Sequence, residues 1–121
     1  MSARKIQSAH PFPEGWEDAG ALCGLLSQRP RLHMIMLLSG GEQEVGDVGS
    51  VVGLDQPLAT YHLRVLRAAG IVAIRRAGRR VLYRLRERAA VVSPAGLALH
   101  IAHGRAQFTV GLMPGTCGGG A

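Results

Sequence analysis

The sequence predicts a mainly α-helical fold with one small β-hairpin, and the order of elements between residues 53 and 85 is the main reason. Asp55 is a good N-cap residue, and Pro57 follows in the first turn, where the missing N–H of proline does no harm. Apolar residues then recur at helical spacing as far as Gly70, a residue type that commonly ends helices. Two runs rich in β-branched and aromatic residues follow, over 71–76 and 80–85. A helix followed directly by such a hairpin is the layout of a winged helix-turn-helix.

Positive charge is concentrated on the same part of the chain. Of the 14 Lys and Arg residues, nine are arginines between positions 64 and 88, and Glu87 is the one acidic residue among them. Such a cluster attracts a polyanion, and phosphate contacts supply most non-specific affinity for DNA. A basic run can also be only a solvated face, but this one follows a helix that carries several polar side chains. The sequence therefore predicts DNA binding.

The predicted DNA contacts lie on this recognition helix and on the hairpin, which we call the wing. Gln56 can pair with adenine, and Arg64 can bind guanine or phosphate. Thr60 suits a base edge or a phosphate, and His62 is expected to contact phosphate or guanine. Two interpretations are open for Tyr61, contact with DNA or packing against the neighbouring helix. The wing arginines expected to reach phosphates or the minor groove are Arg75, Arg76, Arg79 and Arg80.

The other elements are predicted from apolar spacing and helix breakers. A first amphipathic helix is expected over 16–27, and a second ends near residue 38. The third, over 45–52, contains Gly46 and Gly49 and needs tertiary packing to hold it. Ser93 and Pro94 begin a predicted fifth helix over about 95–107, which is so apolar that it is expected to bury against a partner. The predicted total is about five helices and a two-stranded wing.

Length and composition limit the class of protein. The 121 residues suit one domain, which we expect over 16–107, with a flexible N-terminal arm over 1–15 and a Gly-rich tail over 108–121 that carries Cys117. No apolar run approaches the ~18 residues that span a bilayer, and no secretory signal begins the chain. A cytoplasmic protein without a membrane partner is therefore predicted. No catalytic motif is found, so we expect no enzyme activity.

The chain resembles the ArsR/SmtB family of winged helix-turn-helix metalloregulatory repressors over roughly residues 19–88. The resemblance is carried by Pro30-Arg31-Leu32, by residues 45–52 and 54–72, and by the Arg-Gly-Arg wing followed by Tyr83. It implies a homodimer that represses transcription and leaves its operator DNA when an inducer binds. In that family the first and last helices form the dimer interface. A dimer places two recognition helices one DNA turn apart, so the operator is expected to be an imperfect palindrome.

The metal positions of the resembled family are not reproduced. Many relatives carry Cys-x-Cys where this chain has Glu44 and Gly46, and His100 and His103 lack a carboxylate at the spacing of the family's zinc site. A thiophilic inducer such as Hg(II) or arsenite suits the remaining thiols and imidazole, as in a mercury-type sensor variant, with zinc as the alternative. The candidate metal ligands are Cys23, His33 and Cys117.

Other interpretations of these residues stay open at this point. Cys23 suits a small buried apolar residue, Cys117 an incidental thiol, and His33 a solvated side chain. A reversible Cys23–Cys117 disulfide would make the protein a redox-responsive repressor. A ligand-independent winged-helix DNA-binding protein is the further alternative.

Overall fold

The computed structural model describes residues 12–87, 90–93 and 98–112, and in these residues the chain forms four helices and two three-stranded antiparallel sheets. The helices are α1 (Trp16–Leu26), α2 (Arg29–Leu38), α3 (Val45–Val52) and α4 (Gln56–Ala68). The strands are β1 (Gln43–Glu44), β2 (Val72–Ala77), β3 (Arg80–Leu85), β4 (Ala90–Val92), β5 (Ala98–His103) and β6 (Ala106–Gly111). No helix among these residues is long and apolar enough to cross a membrane.

The recognition helix α4 begins and ends as its sequence predicts. The Asp55 side chain accepts a hydrogen bond from the backbone N–H of Leu58 at 3.0 Å, which satisfies one of the free donors of the first turn. At the other end, Gly70 has a φ of 82°, and its N–H donates to the Arg67 carbonyl at 2.9 Å. The next N–H, of Ile71, donates to the Leu66 carbonyl at 3.0 Å. These two bonds form a Schellman motif that ends α4 and directs the chain into β2.

The turn between α3 and α4 depends on the absence of a side chain at Gly49. A Cβ built there would lie 2.8 Å from the Leu54 carbonyl oxygen and 3.5 Å from the Ala59 Cβ. Helix α3 ends at Gly53, which adopts a φ of 77°. The glycine that makes α3 a poor helix former therefore also allows α4 to pack closely against it.

The wing is confirmed, but its sheet has three strands rather than two. Strands β2 and β3 pair antiparallel from Val72 opposite Leu85 to Ala77 opposite Arg80. The additional strand is β1, whose Gln43 pairs with Tyr83 on the outer side of β3. A strand of two residues is too short to show an alternating pattern, so periodicity could not reveal it.

The predicted fifth helix over 95–107 is wrong. Its described part forms the β5–β6 hairpin, which continues past residue 107 to Gly111, so the folded domain extends into the stretch assigned to the tail. The alternation of Leu99 and Ile101, which are buried, with His100, which is exposed, is the strand period of two. Gly104 provides the two-residue turn with a φ of 56°. Small apolar residues obscured that alternation in the sequence.

Contacts with α1 hold this hairpin in place. The Asp18 carboxylate accepts a hydrogen bond from the backbone N–H of Arg105 at 2.8 Å, directly at the turn. A Cβ at Gly104 would collide with that same carboxylate. The inner faces of the hairpin and of α1 then join the core with α2, α3 and α4, whose buried members include Leu22, Ile35, Val48, Leu63 and Ile101. Residues 1–11 of the predicted arm over 1–15, residues 95–97 of the expected helix over 95–107 and residues 113–121 of the tail lie outside the described residues.

We expect Gly49→Ala to destabilise the protein and Gly46→Ala, on the same helix, to stabilise it. The Gly49 Cβ would force the Leu54 backbone away at a cost of about 1–3 kcal/mol. Gly46 has nothing within 4 Å of its built Cβ, so alanine there should add about 0.5–1 kcal/mol. Urea unfolding monitored by circular dichroism measures both changes. Equal effects of the two substitutions would show that the close approach at Gly49 is unimportant.

Candidate nucleic-acid interface

Helix α4 divides into a buried face and an exposed polar face. Its buried residues include Ala59, Leu63 and Leu66, which pack into the core. The opposite face carries Gln56, Thr60, Tyr61 and Arg64, of which Thr60 is half-buried and the others are exposed. Tyr61 is 53 % exposed, which favours the interpretation that it faces DNA over the interpretation that it packs on a neighbouring helix. Four of the five residues expected to read DNA from this helix therefore share one accessible surface.

The fifth, His62, is a correction to the sequence interpretation. Its side chain is only 6 % exposed, and its Nδ1 accepts a hydrogen bond of 3.1 Å from the Nε of Arg31. Arg31, also buried, donates through Nη1 to the Leu25 carbonyl at 3.2 Å. The spacing from Ala59 to His62 and Leu66 places the imidazole on the core side of the helix. His62 therefore holds α4 to α1 and α2 and is not available to DNA.

Two of the wing arginines are engaged within the protein. Arg75 forms a bidentate pair with Glu42, with Nε to Oε2 at 2.9 Å and Nη2 to Oε1 at 2.7 Å. These hydrogen bonds, together with the positive charges of Arg75 and Arg84, lower the pKa of Glu42, and the same pair raises the pKa of Arg75. Arg80 pairs with Glu44 at 3.2 Å. Both acids lie beside or on β1, the strand that the sequence did not reveal, so their proximity to the wing could not be anticipated.

Other exposed arginines keep their charge available. Arg64 on α4 and Arg76 and Arg79 on the wing make no ion pair among the described residues. Arg79 follows Gly78 in the turn between β2 and β3, at the tip of the wing. A guanidinium in that position can bind a DNA phosphate without first losing an acidic partner.

The histidines of β5 have structural partners rather than a shared metal site. His103 donates from Nδ1 to the carbonyl of Ala69, directly after α4, at 3.2 Å. His100 lies on the other face of the strand, and its Nδ1 is 3.1 Å from the Thr109 hydroxyl. The hairpin therefore contacts the end of the recognition helix through His103.

The predicted inducer ligands are only partly within the described structure. Cys23 is exposed on α1, which excludes its interpretation as a small buried residue, and His33 is exposed on α2. Cys117 lies outside the described residues. No group of three or more His, Cys, Asp or Glu side chains within 12–87, 90–93 and 98–112 is arranged to hold a metal ion. These residues therefore do not form a metal site by themselves.

Comparison with known proteins connects this geometry to a family. Residues 30–73, from the start of α2 into β2, match the family described as bacterial regulatory protein, arsR family. Over this stretch the chain is similar to that family. It is 36 % identical over 77 residues to the HTH-type transcriptional repressor SmtB of Mycobacterium tuberculosis, a match that covers 64 % of this chain and 57 % of SmtB. It is 40 % identical over 70 residues to the biofilm growth-associated repressor of Xylella fastidiosa, covering 58 % of this chain and 61 % of that repressor.

A solved structure shows the same fold. It is the homodimeric winged helix-turn-helix DNA-binding domain of a possible ArsR-family regulator from Mycobacterium bovis. The match has a TM-score of 0.54 and 28 % identity, and it covers 58 % of this chain and 65 % of that one. The chain thus spans about three fifths of the length of the two curated relatives, and the family's shared part is the region from α2 to the wing.

We expect Glu42→Gln to strengthen non-specific DNA binding and to steepen its salt dependence. The substitution releases Arg75, so the slope of log K against log salt should become more negative by up to ~1. Fluorescence anisotropy of a random-sequence duplex at several salt concentrations measures this slope. Glu17→Gln on α1 is the matched control because it removes the same charge from an exposed site away from the wing. If both variants change the slope equally, net charge alone is responsible.

A second expectation concerns acid pH and the stability of α4. Burial, and then the nearby charge of Arg31, lower the pKa of His62 from its ordinary value of 6.5. The unfolded chain therefore binds the proton at a higher pH than the folded one. The stabilising contribution of neutral His62 is complete above pH 6.5 and declines as the pH falls from there towards the lowered folded pKa, by at most about 1.4 kcal/mol per pH unit.

Urea unfolding of the wild type and of His62→Asn between pH 7.5 and 5 tests this expectation. Asparagine places an amide oxygen near the Nδ1 position and does not titrate, so it keeps an acceptor for Arg31. The variant should lose stability with falling pH less steeply than the wild type. If the stability of the wild type and of the variant changes with pH in the same way, His62 is not buried as a neutral imidazole.

Proposed function

We propose that the chain is a DNA-binding transcriptional repressor that occupies an operator as a homodimer and releases it when an inducer binds. The observation that carries this proposal is the exposed polar face of α4, with Gln56, Thr60, Tyr61 and Arg64, on a helix whose other face is anchored in the core. The SmtB and Xylella relatives are both repressors, which supports the direction of regulation. DNA as partner also implies action in the cytoplasm.

The division of labour that we propose follows from groove geometry. The major groove admits an α-helix, and the N-terminal residues of a recognition helix contact base edges. Gln56, in the first turn of α4, then reads adenine, while Arg64, two turns further along, binds guanine or phosphate. Arg76 and Arg79 hold the backbone beside the groove, and Arg75 and Arg80 contribute less because Glu42 and Glu44 already neutralise them.

The homodimer is part of the proposal. The related Mycobacterium bovis domain is homodimeric, and this chain exposes large apolar side chains that a second copy can cover, including Trp16 at 58 % exposed. Two copies related by a twofold axis place their α4 helices on half-sites about 34 Å apart, one turn of DNA. The proposed operator is accordingly an imperfect palindrome.

Two substitutions separate base reading from phosphate binding. Gln56→Ala should relax the base preference at one position of each half-site, at a cost of about 1–3 kcal/mol for the preferred base. Arg79→Ala should weaken binding to all sequences about equally and flatten the salt dependence by ~1. Selection from a random duplex library, followed by anisotropy on the selected and scrambled duplexes, measures both. Unchanged base preference in Gln56→Ala would count against direct reading by α4.

For the inducer we propose a thiophilic ion such as Hg(II) or arsenite, with Cys23, His33 and Cys117 as ligands and zinc as the alternative ion. The exposure of the Cys23 thiol and of the His33 imidazole on successive helices supports this choice. A Cys23–Cys117 disulfide is the competing thiol chemistry, and a repressor without an inducer is the simplest alternative.

Titration of the protein–DNA complex distinguishes these inducers. Hg(II) should release DNA from the wild type, whereas Cys23→Ser and Cys117→Ser should not respond. Release by a mild oxidant alone, reversed by dithiothreitol, would assign the disulfide instead. A complex that persists with metals and with the oxidant would refute both thiol mechanisms.

A further inference from the structure

A cavity of about 420 Å³ lies beside the core, at the side of the domain where α1, α2 and the β5–β6 hairpin meet. It is bounded by the last turns of α1, by α2, and by the open end of the hairpin, where Ala98 pairs with Gly111. The side chains that form its walls include Cys23, Leu26, Leu32, Met36, Leu99 and Phe108. None of these residues belongs to the proposed DNA-binding surface.

The chemistry of the walls specifies the kind of molecule that fits. Ten described residues line the cavity; none of them is charged, and Ser27 is the one with a hydroxyl group. An anionic or cationic group would lose its hydration there without gaining a partner, so a charged ligand is disfavoured. The volume lies within the range of about 300–1,000 Å³ that is usual for small-molecule sites. An uncharged apolar small molecule satisfies both conditions.

The depth of the cavity suits such a ligand because part of its wall belongs to the core. Leu26 and Leu99 contribute to the walls although they are only 5 % and 6 % exposed, so the cavity reaches residues of the core. A compact molecule can enter between three elements and contact these residues.

Two residues of the cavity wall are sequence neighbours of residues that hold the recognition helix in place. Leu32 is adjacent to Arg31, and Leu26 is adjacent to Leu25, whose carbonyl accepts from Arg31. Arg31 in turn donates to His62 on α4. A ligand that spreads α1 from α2 therefore acts on the guanidinium that holds α4 in position.

We propose that this cavity is an effector site for an uncharged apolar small molecule, and that its occupation changes DNA affinity through Arg31 and His62. Binding in the cavity is independent of the proposed repressor function, and only the effect on DNA rests on it. The site differs in chemistry from a thiophilic ion site because apolar volume, rather than the Cys23 thiolate, provides the affinity.

The test uses the full chain and the uncharged fluorophore N-phenyl-1-naphthylamine. The wild type should show a saturable, single-site rise in fluorescence in the absence of DNA. Cys23→Phe, which fills part of the cavity, should weaken this binding at least tenfold. Cys23→Ser, which keeps the space but removes the thiol, should bind as the wild type does. Ala21→Phe is the matched control because it adds the same ring to an exposed position of α1 outside the cavity.

The second part of the test measures affinity for the selected DNA duplex in the same buffer, with and without the fluorophore. Saturating fluorophore should change the affinity for that duplex about fivefold or more in the wild type and in Cys23→Ser, but not in Cys23→Phe. If the fluorophore shows no saturable binding, or if Cys23→Phe and Ala21→Phe weaken its binding equally, the cavity is not the binding site. A signal that falls as protein concentration rises would assign the cavity to a second copy instead. Binding without any change in DNA affinity would overturn the effector role even if the protein binds DNA as proposed.

Discussion

The buried guanidinium of Arg31 is the interaction on which the position of the recognition helix depends. It comes from the first turn of α2, donates to the last turn of α1 at the Leu25 carbonyl, and donates to His62 in the middle of α4. A buried donor left without its acceptor costs about 1–3 kcal/mol, and more when the donor is charged, so this arrangement strongly favours one orientation of three helices. The exposed face of α4 is presented to solvent because the opposite face is held in this way. The orientation of the DNA-binding face of α4 is therefore set by contacts in the core.

The electrostatics of the wing follow a second constraint, the presence of acids on and beside β1. Glu42 and Glu44 pair with two of the wing's guanidinium groups, so that the turn before β1 is joined to β2 and β1 is joined to β3. The arginines without acidic partners among the described residues include Arg79 at the wing tip, Arg76 near it and Arg64 on α4. Fewer arginines are therefore available to bind a polyanion than the sequence suggests, and those that remain available lie at particular positions on the surface. This division makes Arg79 a stronger candidate for phosphate binding than Arg75.

The C-terminal hairpin differs from the last helix that the resemblance implies. Where the resembled family uses a last helix beside the first, this chain places β5 and β6 against α1, held at the turn by Asp18. The open end of the hairpin leaves the apolar cavity beside α2, and His103 at the other end contacts the carboxyl end of α4. A sheet in this position cannot form the helix-pair dimer contact expected from the resemblance. It does contact the residue that follows α4 directly, through His103 and Ala69, and it contacts α1 through Arg105 and Asp18.

The sequence by itself determined the helix-turn-helix, the limits of the recognition helix and the hairpin of the wing. These features depend on signals that are close together in the chain. Asp55 caps α4 by accepting from Leu58, three residues further on, and Gly70 ends the helix through a hydrogen bond to its last turn. The tertiary structure alone decided the burial of His62, the pairing of Arg75 with Glu42 and the strand form of residues 98–103. The partners in these cases are distant in sequence, by 31 residues for Arg31 and His62 and by 33 for Glu42 and Arg75. Whether an apolar segment becomes helix or strand, and whether a charge meets DNA or another side chain, depends on which surface lies opposite, and local periodicity carries no information about that surface.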